Sequence, residues 1–310
     1  MVSTFEDLGI EIRNLRRLAD RNVKTWSAFN PSIACDDRGN YAVALRSSNY
    51  VILDHGELSV TTGGPIRNRV YFAELDSNFK IIDEPRMLDF SAAGIDVPRG
   101  VEDPKLLWRD GRWVFTGVFL ERNVPVARNC ICYLDEAATK VIRVDILPGY
   151  ETKRPEKNWM TAANKPKNFD YIYDGNAIVR GNEVIHRLRD NAAISALRGN
   201  AHLVELLDGS YLGIMHQLHI TKATHFSPTT FGMQENVFKD YHHFFVRFDN
   251  NGWAIEISEP FQFISRGIEF AAGIAEHEDN YVISFGKNDL SSHLAFIKKD
   301  NVMKMMKSVD

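Results

Sequence analysis

The sequence predicts an all-β fold preceded by a short helical lead-in. From Trp26 onward, apolar and polar residues alternate with a period of two, in short runs such as Tyr41–Arg46 that turn residues separate. Residues 5–24 differ, because their leucines and isoleucines fall on roughly one helical face, which predicts a helix. We therefore expect a lead-in or cap over residues 1–25 and a single β domain over residues 26–310.

Five short polar signatures recur along the chain, each at the start of a predicted hairpin. Neighbouring signatures are about 40–70 residues apart, which is roughly one four-stranded blade. Five such units predict a five-bladed β-propeller, in which the innermost strands start near the central channel, so the signatures converge on one funnel. The signatures are Asn30-Pro31-Ser32, Glu102-Asp103-Pro104, Lys157-Asn158-Trp159, Arg198-Gly199-Asn200 and Ile268-Glu269-Phe270.

The second signature combines two adjacent carboxylates, Glu102 and Asp103, with a proline. Because Pro104 favours extended geometry in the residue before it, we expect Asp103 to lie in a loop that enters a strand. A tight turn at Asp110-Gly111 then predicts a hairpin that carries the two carboxylates at its open end. Residues 219–240 are polar and poor in pattern, which predicts a long loop.

Composition excludes several classes of function. A net charge of −4 means that the chain lacks the excess of positive charge typical of proteins that bind nucleic acid. No apolar run approaches the roughly 20 residues that span a bilayer, and the first residues lack the order of a signal peptide. Three cysteines are too few for a disulfide framework, and Cys130 and Cys132 are expected to be packed thiols. We therefore expect a cytoplasmic protein with neither nucleic acid nor membrane as a partner, and composition leaves its oligomeric state open.

No cofactor or metal site is predicted. The histidines have no metal-ligand spacing, and neither a glycine-rich phosphate loop nor a Ser-His-Asp signature stands out. The histidines of this region are His216, His219, His225, His242 and His243.

In order, the signatures resemble the five-bladed propellers of glycoside hydrolase family 130, the β-mannoside phosphorylases and hydrolases, and the related family 108 mannosyltransferases. The resemblance runs from residue 26 onward through short motifs and indicates a divergent member. Val101–Lys105 is similar to a Glu-Asp-Pro-Arg element, with Lys105 in place of the arginine. The other matching segments are Asn30-Pro31 with Arg46, Arg198–Asn200, Asp208–His216, Ile268–Gly273 and Phe285–Asp289.

The resemblance implies an enzyme that cleaves or forms β-glycosidic, mannosidic bonds with inversion, by phosphorolysis or hydrolysis, on an oligosaccharide or glycoside. Inorganic phosphate is then a possible co-substrate, although no arginine follows the third signature, where Tyr171-Ile172-Tyr173-Asp174 stands. The alternatives are a glycosyltransferase that uses a sugar phosphate or nucleotide sugar, and a propeller that binds glycan without catalysis.

Asp103 is the general acid that the resemblance implies, since a departing alkoxide must be protonated as the glycosidic bond breaks. Glu269 and Asp289 are the candidates for a second carboxylate that activates water. A purely structural role, in which Glu102 and Asp103 bond to backbone N–H groups, is the alternative. The candidate substrate-binding residues are Asn30, Arg46, Glu102, Lys157, Asn158, Arg198, His216 and Asp289. Among them, Arg46, Lys157 and Arg198 could hold an anion or form ordinary salt bridges, and Trp159 and Tyr241 could stack on a sugar or belong to the core.

Overall fold

The structure is a computed structural model that describes residues 3–4, 11–14, 26–52, 58–95, 97, 99–120, 127–147, 157–186, 192–227 and 232–309. Strands dominate these ranges, and the helices are short: α1 (Ala192–Ser195), α2 (Lys299–Met305) and a 3-10 turn at Ser91–Ala93. Neither α1 nor α2 is long and apolar enough to cross a membrane, and no other helix in the described ranges is.

The strands follow one another in chain order and confirm the all-β prediction. They are β1 (Ser3–Thr4), β2 (Glu11–Asn14), β3 (Ser27–Cys35), β4 (Tyr41–Ser48), β5 (Tyr50–Ile52), β6 (Leu58–Val60), β7 (Asn68–Leu75), β8 (Arg86–Met87), β9 (Val101–Arg109), β10 (Arg112–Leu120), β11 (Ala127–Leu134), β12 (Val141–Ile146), β13 (Tyr171–Asp174), β14 (Ala177–Arg180), β15 (Glu183–His186), β16 (Arg198–Gly199), β17 (Val204–Glu205), β18 (Tyr211–Ser227), β19 (Gly232–Phe248), β20 (Ala254–Ser258), β21 (Phe261–Gln262), β22 (Glu269–His277), β23 (Asn280–Lys287), β24 (Ser291–Lys298) and β25 (Met306–Ser308).

Separate sheets, mostly antiparallel, make up the molecule. Three have four strands, in the orders β3-β4-β7-β8, β12-β11-β10-β9 and β2-β24-β23-β22, and β13–β15 form a three-stranded sheet. Met160 forms a bridge with Ile172 of that sheet. A larger sheet is built on the long pair β18–β19 with β1, β16, β17, β20, β21 and β25, and β5–β6 form a small hairpin. This arrangement is consistent with a β-propeller-like fold.

The first strands of neighbouring sheets lie against one another, and small residues allow the close approach. A Cβ on Gly273 of β22 would lie 2.3 Å from the backbone nitrogen of Ile33 in β3. The hydroxyl of Ser32 in turn accepts a 2.7 Å hydrogen bond from the backbone N–H of Leu106 in β9. A Cβ on Gly199 would lie 2.2 Å from the carbonyl oxygen of Asn158. The polar signatures therefore lie in segments that are direct neighbours in space, although the third, at residues 157–159, does not start a strand.

Apolar clusters fill the space between adjacent sheets. One cluster joins the β3–β8 and β9–β12 sheets and contains Phe72, Leu106 and Phe115. Cys130 and Cys132 belong to it as free, buried thiols, as expected from the sequence. A second cluster joins the β18–β19 pair to β22–β24 through Phe245 and other aromatic residues. Full burial of one such phenylalanine contributes about 1.5–3 kcal/mol, so packing between sheets fixes the positions of the first strands.

The helix predicted over residues 5–24 is wrong where the structure describes that segment. Residues 11–14 form β2, which pairs antiparallel with β24 and completes the last sheet. Ile12 is half-buried between exposed Glu11 and Arg13, so the local period is two and not 3.6. The rest of the predicted helix lies outside the described residues.

The long loop predicted over residues 219–240 is also wrong. The strands β18 and β19 pair without a register shift from Tyr211 opposite Phe248 to Ser227 opposite Gly232. The hairpin is much longer than the strands beside it, and its described side chains over residues 218–222 are exposed or half-buried. A strand without a buried face has no hydrophobic alternation, and this explains why the sequence pattern is weak.

Candidate active site

The first and second signatures share one unusual backbone geometry. Asn30 and Asp103 have φ angles of +47° and +48°, and each is followed by a proline, Pro31 or Pro104. The pairing register of β3 with β4 shifts at the first site, and that of β9 with β10 shifts at the second. The extended geometry predicted for Asp103 is therefore wrong, because a bulge in the strand places it in the left-handed region. Asn and Asp tolerate that region better than most residues, although strain of this kind costs about 1–3 kcal/mol.

Arg46 of β4 joins the two signatures. Its Nη1 atom lies 2.9 Å from Oδ1 of Asp103, and its Nη2 atom lies 2.9 Å from Oε1 of Glu102. Its Nε atom donates a 2.9 Å hydrogen bond to Oδ1 of Asn68, and its guanidinium lies over the ring of Phe29. Arg46 is only 3% exposed, so all its charge is matched by protein groups. Asn30 Nδ2 completes the set with a 3.0 Å hydrogen bond to Oδ1 of Asp103.

The cluster holds Asp103 in its ionised form. Burial raises the pKa of Asp103, but the charges of Arg46 and Lys157 and the hydrogen bond from Asn30 outweigh it, so the pKa lies below its ordinary value. Burial likewise lowers the pKa of Arg46, and the charges of Asp103 and Glu102 more than reverse that effect. Asp103 is therefore a carboxylate at neutral pH in the free protein.

Two further cations lie at the more open side of the cluster. Lys157 Nζ is 3.0 Å from Oε2 of Glu102, and its side chain is 42% exposed. Arg198 is also exposed, and its guanidinium donates to the carbonyl of Leu197 and lies 3.9 Å from a carboxylate oxygen of Asp174. Asn158, next to Lys157, has a φ of +65° and a buried Oδ1 that has no hydrogen-bond partner among the described residues.

Asp289 is a further, half-buried carboxylate of the site. It follows β23 in the left-handed region, with a φ of +53°, and its Oδ2 accepts a 2.7 Å hydrogen bond from the hydroxyl of Tyr50. Burial raises the pKa of Asp289, and the opposing charge of Arg46 does not cancel the effect. Asp103 and Asp289 thus have pKa values displaced in opposite directions.

His216 and Tyr241 form an aromatic pair beside these carboxylates. Their rings are stacked, with centroids 4.6 Å apart and planes 9° apart. His216 Nδ1 is hydrogen-bonded to Oδ1 of Asn200, from the fourth signature. Burial lowers the pKa of His216 to about 3, so its ring is neutral. Burial and the charges of Asp289 and Asp103 raise the pKa of Tyr241 to about 12.

Glu269, the other predicted second carboxylate, has different surroundings. Its side chain is completely buried and accepts hydrogen bonds from the backbone N–H groups of Phe263, Ile264 and Ser265. Lys287 Nζ lies 3.1 Å from its Oε1 atom. These contacts stabilise the segment of residues 263–265 that precedes β22, and none of them is to Asp103 or Arg46.

Lys105, at the position of an arginine in the family that the sequence resembles, is buried two residues after Asp103. Its Nζ donates a 3.0 Å hydrogen bond to the carbonyl oxygen of Trp159. Burial lowers its pKa to about 7, although the charge of Asp103 acts in the opposite direction. The indole of Trp159 is itself buried and packs against Tyr171 and Tyr173, so it belongs to the core.

Sequence reasoning missed two members of the cluster, Asn68 and Tyr50. Tyr50 starts β5, which directly follows the strand of Arg46, and Asn68 starts β7. Both lie outside all five signatures, and no local sequence pattern marks them.

The structure also contains a cavity of about 990 Å³ at the opposite end of the first strands, lined by Cys35, Trp108 and His202 among others. Trp108 is five residues from Asp103, about 16 Å along a strand, so this cavity is separate from the carboxylate cluster. The described residues contain no group of three or more His, Cys, Asp or Glu side chains that could hold a metal ion.

The chain matches no protein-family model and no curated protein by sequence. Its fold is similar to that of several solved structures. A β-1,2-mannobiose phosphorylase from Listeria innocua has a TM-score of 0.58 at 12% identity, with 91% of this chain and 93% of that chain covered. A structure from the GH130 family of mannoside phosphorylases, described as containing glycoside hydrolases that target β-1,2 mannosidic linkages in Candida mannan, has a TM-score of 0.55 at 14% identity over 88% and 85% of the two chains. A GDP-Man-dependent mannosyltransferase from Leishmania mexicana has a TM-score of 0.56 at 11% identity over 93% and 89%. These similarities confirm the coarser part of the expected fold, an all-β architecture like that of β-propeller glycosidases.

Proposed function

We propose that this protein is a carbohydrate-active enzyme that cleaves or forms β-mannosidic bonds with inversion, by phosphorolysis or hydrolysis. The observation that carries the proposal is the cluster of Asp103, Glu102, Arg46 and Lys157, where two carboxylates form ion pairs of 2.9–3.0 Å with two cations. Glycoside cleavage requires a carboxyl group beside the leaving oxygen, and a phosphate nucleophile requires cations. The similar folds of a mannobiose phosphorylase and of mannoside hydrolases support the choice of substrate class.

We also propose that the sheets are the blades of a five-bladed propeller. On this proposal the blades are the four smaller sheets built on β3, β9, β13 and β22, and the large sheet built on β18–β19. Contacts of β22 with β3, of β3 with β9 and of β17 with β22 support a ring. A parallel bridge between Ala162 and Leu203 supports the neighbour relation between the sheet built on β13 and the large sheet. The five signatures then surround one funnel, with the carboxylate cluster on its wall.

Asp103 is proposed as the general acid, and the structure adds a condition. An ionised carboxylate has no proton to give, so Asp103 must gain one before the glycosidic oxygen leaves. Lys157 contributes to the low pKa of Asp103. An anionic co-substrate that binds Lys157 would withdraw this cation from the carboxylates and raise the pKa of Asp103. The proton then passes to the leaving oxygen, directly or through a sugar hydroxyl, while the nucleophile bonds to C1.

For hydrolysis, Asp289 fits the water-activating role better than Glu269. The carboxylate of Glu269 is occupied by three backbone N–H groups and Lys287, which leaves little capacity for a water molecule. Asp289 has one described hydrogen-bond donor, Tyr50, and lies near the Tyr241 ring. Its raised pKa makes it a stronger base than an ordinary aspartate.

A transferase is the second candidate. The similar fold of a GDP-Man-dependent mannosyltransferase favours it, and so do the exposed side chains of Lys157 and Arg198, which could bind the phosphates of a sugar nucleotide. Binding of a glycan without catalysis is the alternative from another class. The cytoplasmic location and the lack of a cofactor stay predictions.

The decisive experiment incubates the protein with β-1,2-mannobiose, with and without inorganic phosphate, and measures mannose 1-phosphate and mannose. Phosphorolysis predicts a sugar phosphate that requires phosphate, and hydrolysis predicts mannose in either buffer. Asp103→Asn should reduce the rate at least 100-fold, in line with loss of a general acid. Asp37→Asn, in an exposed turn at the other end of β3, is the matched control and should leave the rate unchanged. Binding without turnover in any of these conditions, or in the presence of GDP-mannose, would leave only the glycan-binding alternative.

A further inference from the structure

The long hairpin β18–β19 has two unlike faces beyond the core. Since side chains alternate along a strand, His216, Leu218 and Ile220 lie on one face of β18. The partner of Leu218 across the hairpin is Tyr241, so Tyr241 lies on the same face. The opposite face carries Gln217 and His219, which hydrogen-bond to each other, together with His242.

The face that carries Leu218 and Ile220 begins at the candidate site. His216 and Tyr241 stack on each other there, His216 Nδ1 is hydrogen-bonded to Asn200 of the fourth signature, and the backbone N–H of Tyr241 donates to the carbonyl oxygen of Gly267, beside the fifth signature. Leu218 and Ile220 continue the same face outward, where they are 42% and 55% exposed. We name these two side chains the hairpin wall.

The hairpin wall is chemically unlike the rest of the site. Leu218 and Ile220 have no polar side-chain atoms, whereas the hydroxyls of a second sugar would need hydrogen-bond partners when they leave water. Lys239, opposite Ile220, also shares this face, and the methylenes of a lysine can cover apolar surface while its ammonium stays in water. A group that lies along the wall therefore gains free energy if it is apolar.

We propose that the hairpin wall binds an apolar leaving group, so that the substrates include glycosides with an alkyl or aryl aglycone. This inference rests on the proposed function, because it assigns to the wall the part of the substrate beyond the cleaved bond. The sugar occupies the cluster around Asp103, and the aglycone extends past Tyr241 along Leu218 and Ile220. Continuity of the wall with the site through Tyr241 is the reason for choosing the aglycone as the occupant.

The test compares hexyl β-mannoside with methyl β-mannoside, which has the same sugar but no chain for the wall. The native protein should have a KM for the hexyl glycoside at least tenfold lower than for the methyl glycoside, since the buried methylenes each favour binding. The double variant Leu218→Thr/Ile220→Thr places β-branched threonines, which suit a strand, at both positions and should raise the KM of the hexyl glycoside about tenfold. The KM of the methyl glycoside should not change.

Phe238→Thr is the matched control. Phe238 is an equally exposed apolar residue, 42% accessible, and it pairs with Thr221, so it lies on the opposite face of the same hairpin. This variant should change neither KM value. Equal KM values for the two glycosides in the native protein, or an equal effect of the double variant on both, would overturn the inference. A change in oligomeric mass of the double variant without a change in the KM ratio would show that the wall is a protein interface, which also overturns it.

Calorimetric binding of the two glycosides to the Asp103→Asn variant separates this inference from the proposed function. If the native protein turns over neither glycoside but the hexyl glycoside binds at least tenfold more tightly than the methyl one, and the double substitution removes the difference, only the proposed function fails. If the two glycosides bind equally, the hairpin wall has no such role, whatever the catalytic result.

Discussion

Replacing Lys105 with methionine should change how the stability of the protein depends on pH. Lys105 is 3% exposed, and burial lowers its pKa to about 7, whereas a lysine in the unfolded chain has a pKa of about 10.4. Between these two values the unfolded chain binds more protons than the folded protein. The free energy of unfolding therefore rises with pH in this window, and it falls as the pH is lowered toward 7.

The magnitude follows from the two pKa values. One proton of difference changes the free energy of unfolding by about 1.4 kcal/mol per pH unit. Between pH 7.5 and pH 9 the native protein should gain about 2 kcal/mol relative to the Lys105→Met variant, in which this ionisation is absent. Other groups that titrate in the same range act on both proteins and cancel in the comparison.

Urea denaturation of both proteins at pH 7.5, 8.25 and 9 measures the effect. The exposed Lys80, changed to methionine, supplies the control, and its difference from the native protein should stay constant with pH. A Lys105→Met difference that is equally constant would refute the reasoning, because it would mean that Lys105 keeps its ordinary pKa in the folded state.

Two other substitutions test the packing of the site. Arg46→Met removes the cation from half-buried Asp103 and should lower the free energy of unfolding by about 3–5 kcal/mol, whereas Arg143→Met, in an exposed ion pair, should leave the urea midpoint almost unchanged. Similar losses for the two variants would contradict the burial of the cluster. Gly199→Ala should destabilise the protein by about 2 kcal/mol or more, because its Cβ would lie 2.2 Å from the carbonyl oxygen of Asn158, and an unchanged urea midpoint would show that the strands can separate.

The sequence predicted the class of fold because turn residues and period-two alternation are local properties. It also predicted that Asp103 and Lys157 lie close together, since both belong to polar signatures that were expected to converge, whereas Arg46 became a candidate through the family resemblance alone. The β2 strand was mistaken for part of a helix because four residues are too short for periodicity to separate the two structures. Burial of Ile12 against a sheet formed by the far end of the chain decides the matter, and that contact is not local.

Other features of the site depend on tertiary packing alone. Nothing near Tyr50 or Asn68 in the sequence indicates that one would donate to Asp289 and the other accept from Arg46. The pKa values of Asp103 and Asp289 are displaced in opposite directions because Arg46 bonds directly to Asp103, whereas burial outweighs the charge of Arg46 at Asp289. Glu269 shows the converse, because its motif supplies a carboxylate whose described hydrogen bonds hold the segment before β22.

The pairing of β2 with β24 has a consequence for how the protein folds. Residues 11–14 pair with residues 293–296, so β2 can join this sheet only after all the residues between it and β24 have been made. Such a distant pairing raises the contact order and slows folding, and domains of this size commonly form intermediates. Until β2 docks, β24 presents an unpaired edge to other nascent chains, a template for aggregation. The four residues of β2 therefore protect the edge of the sheet late in folding. Their removal should lower the yield of folded protein more than their small buried area suggests.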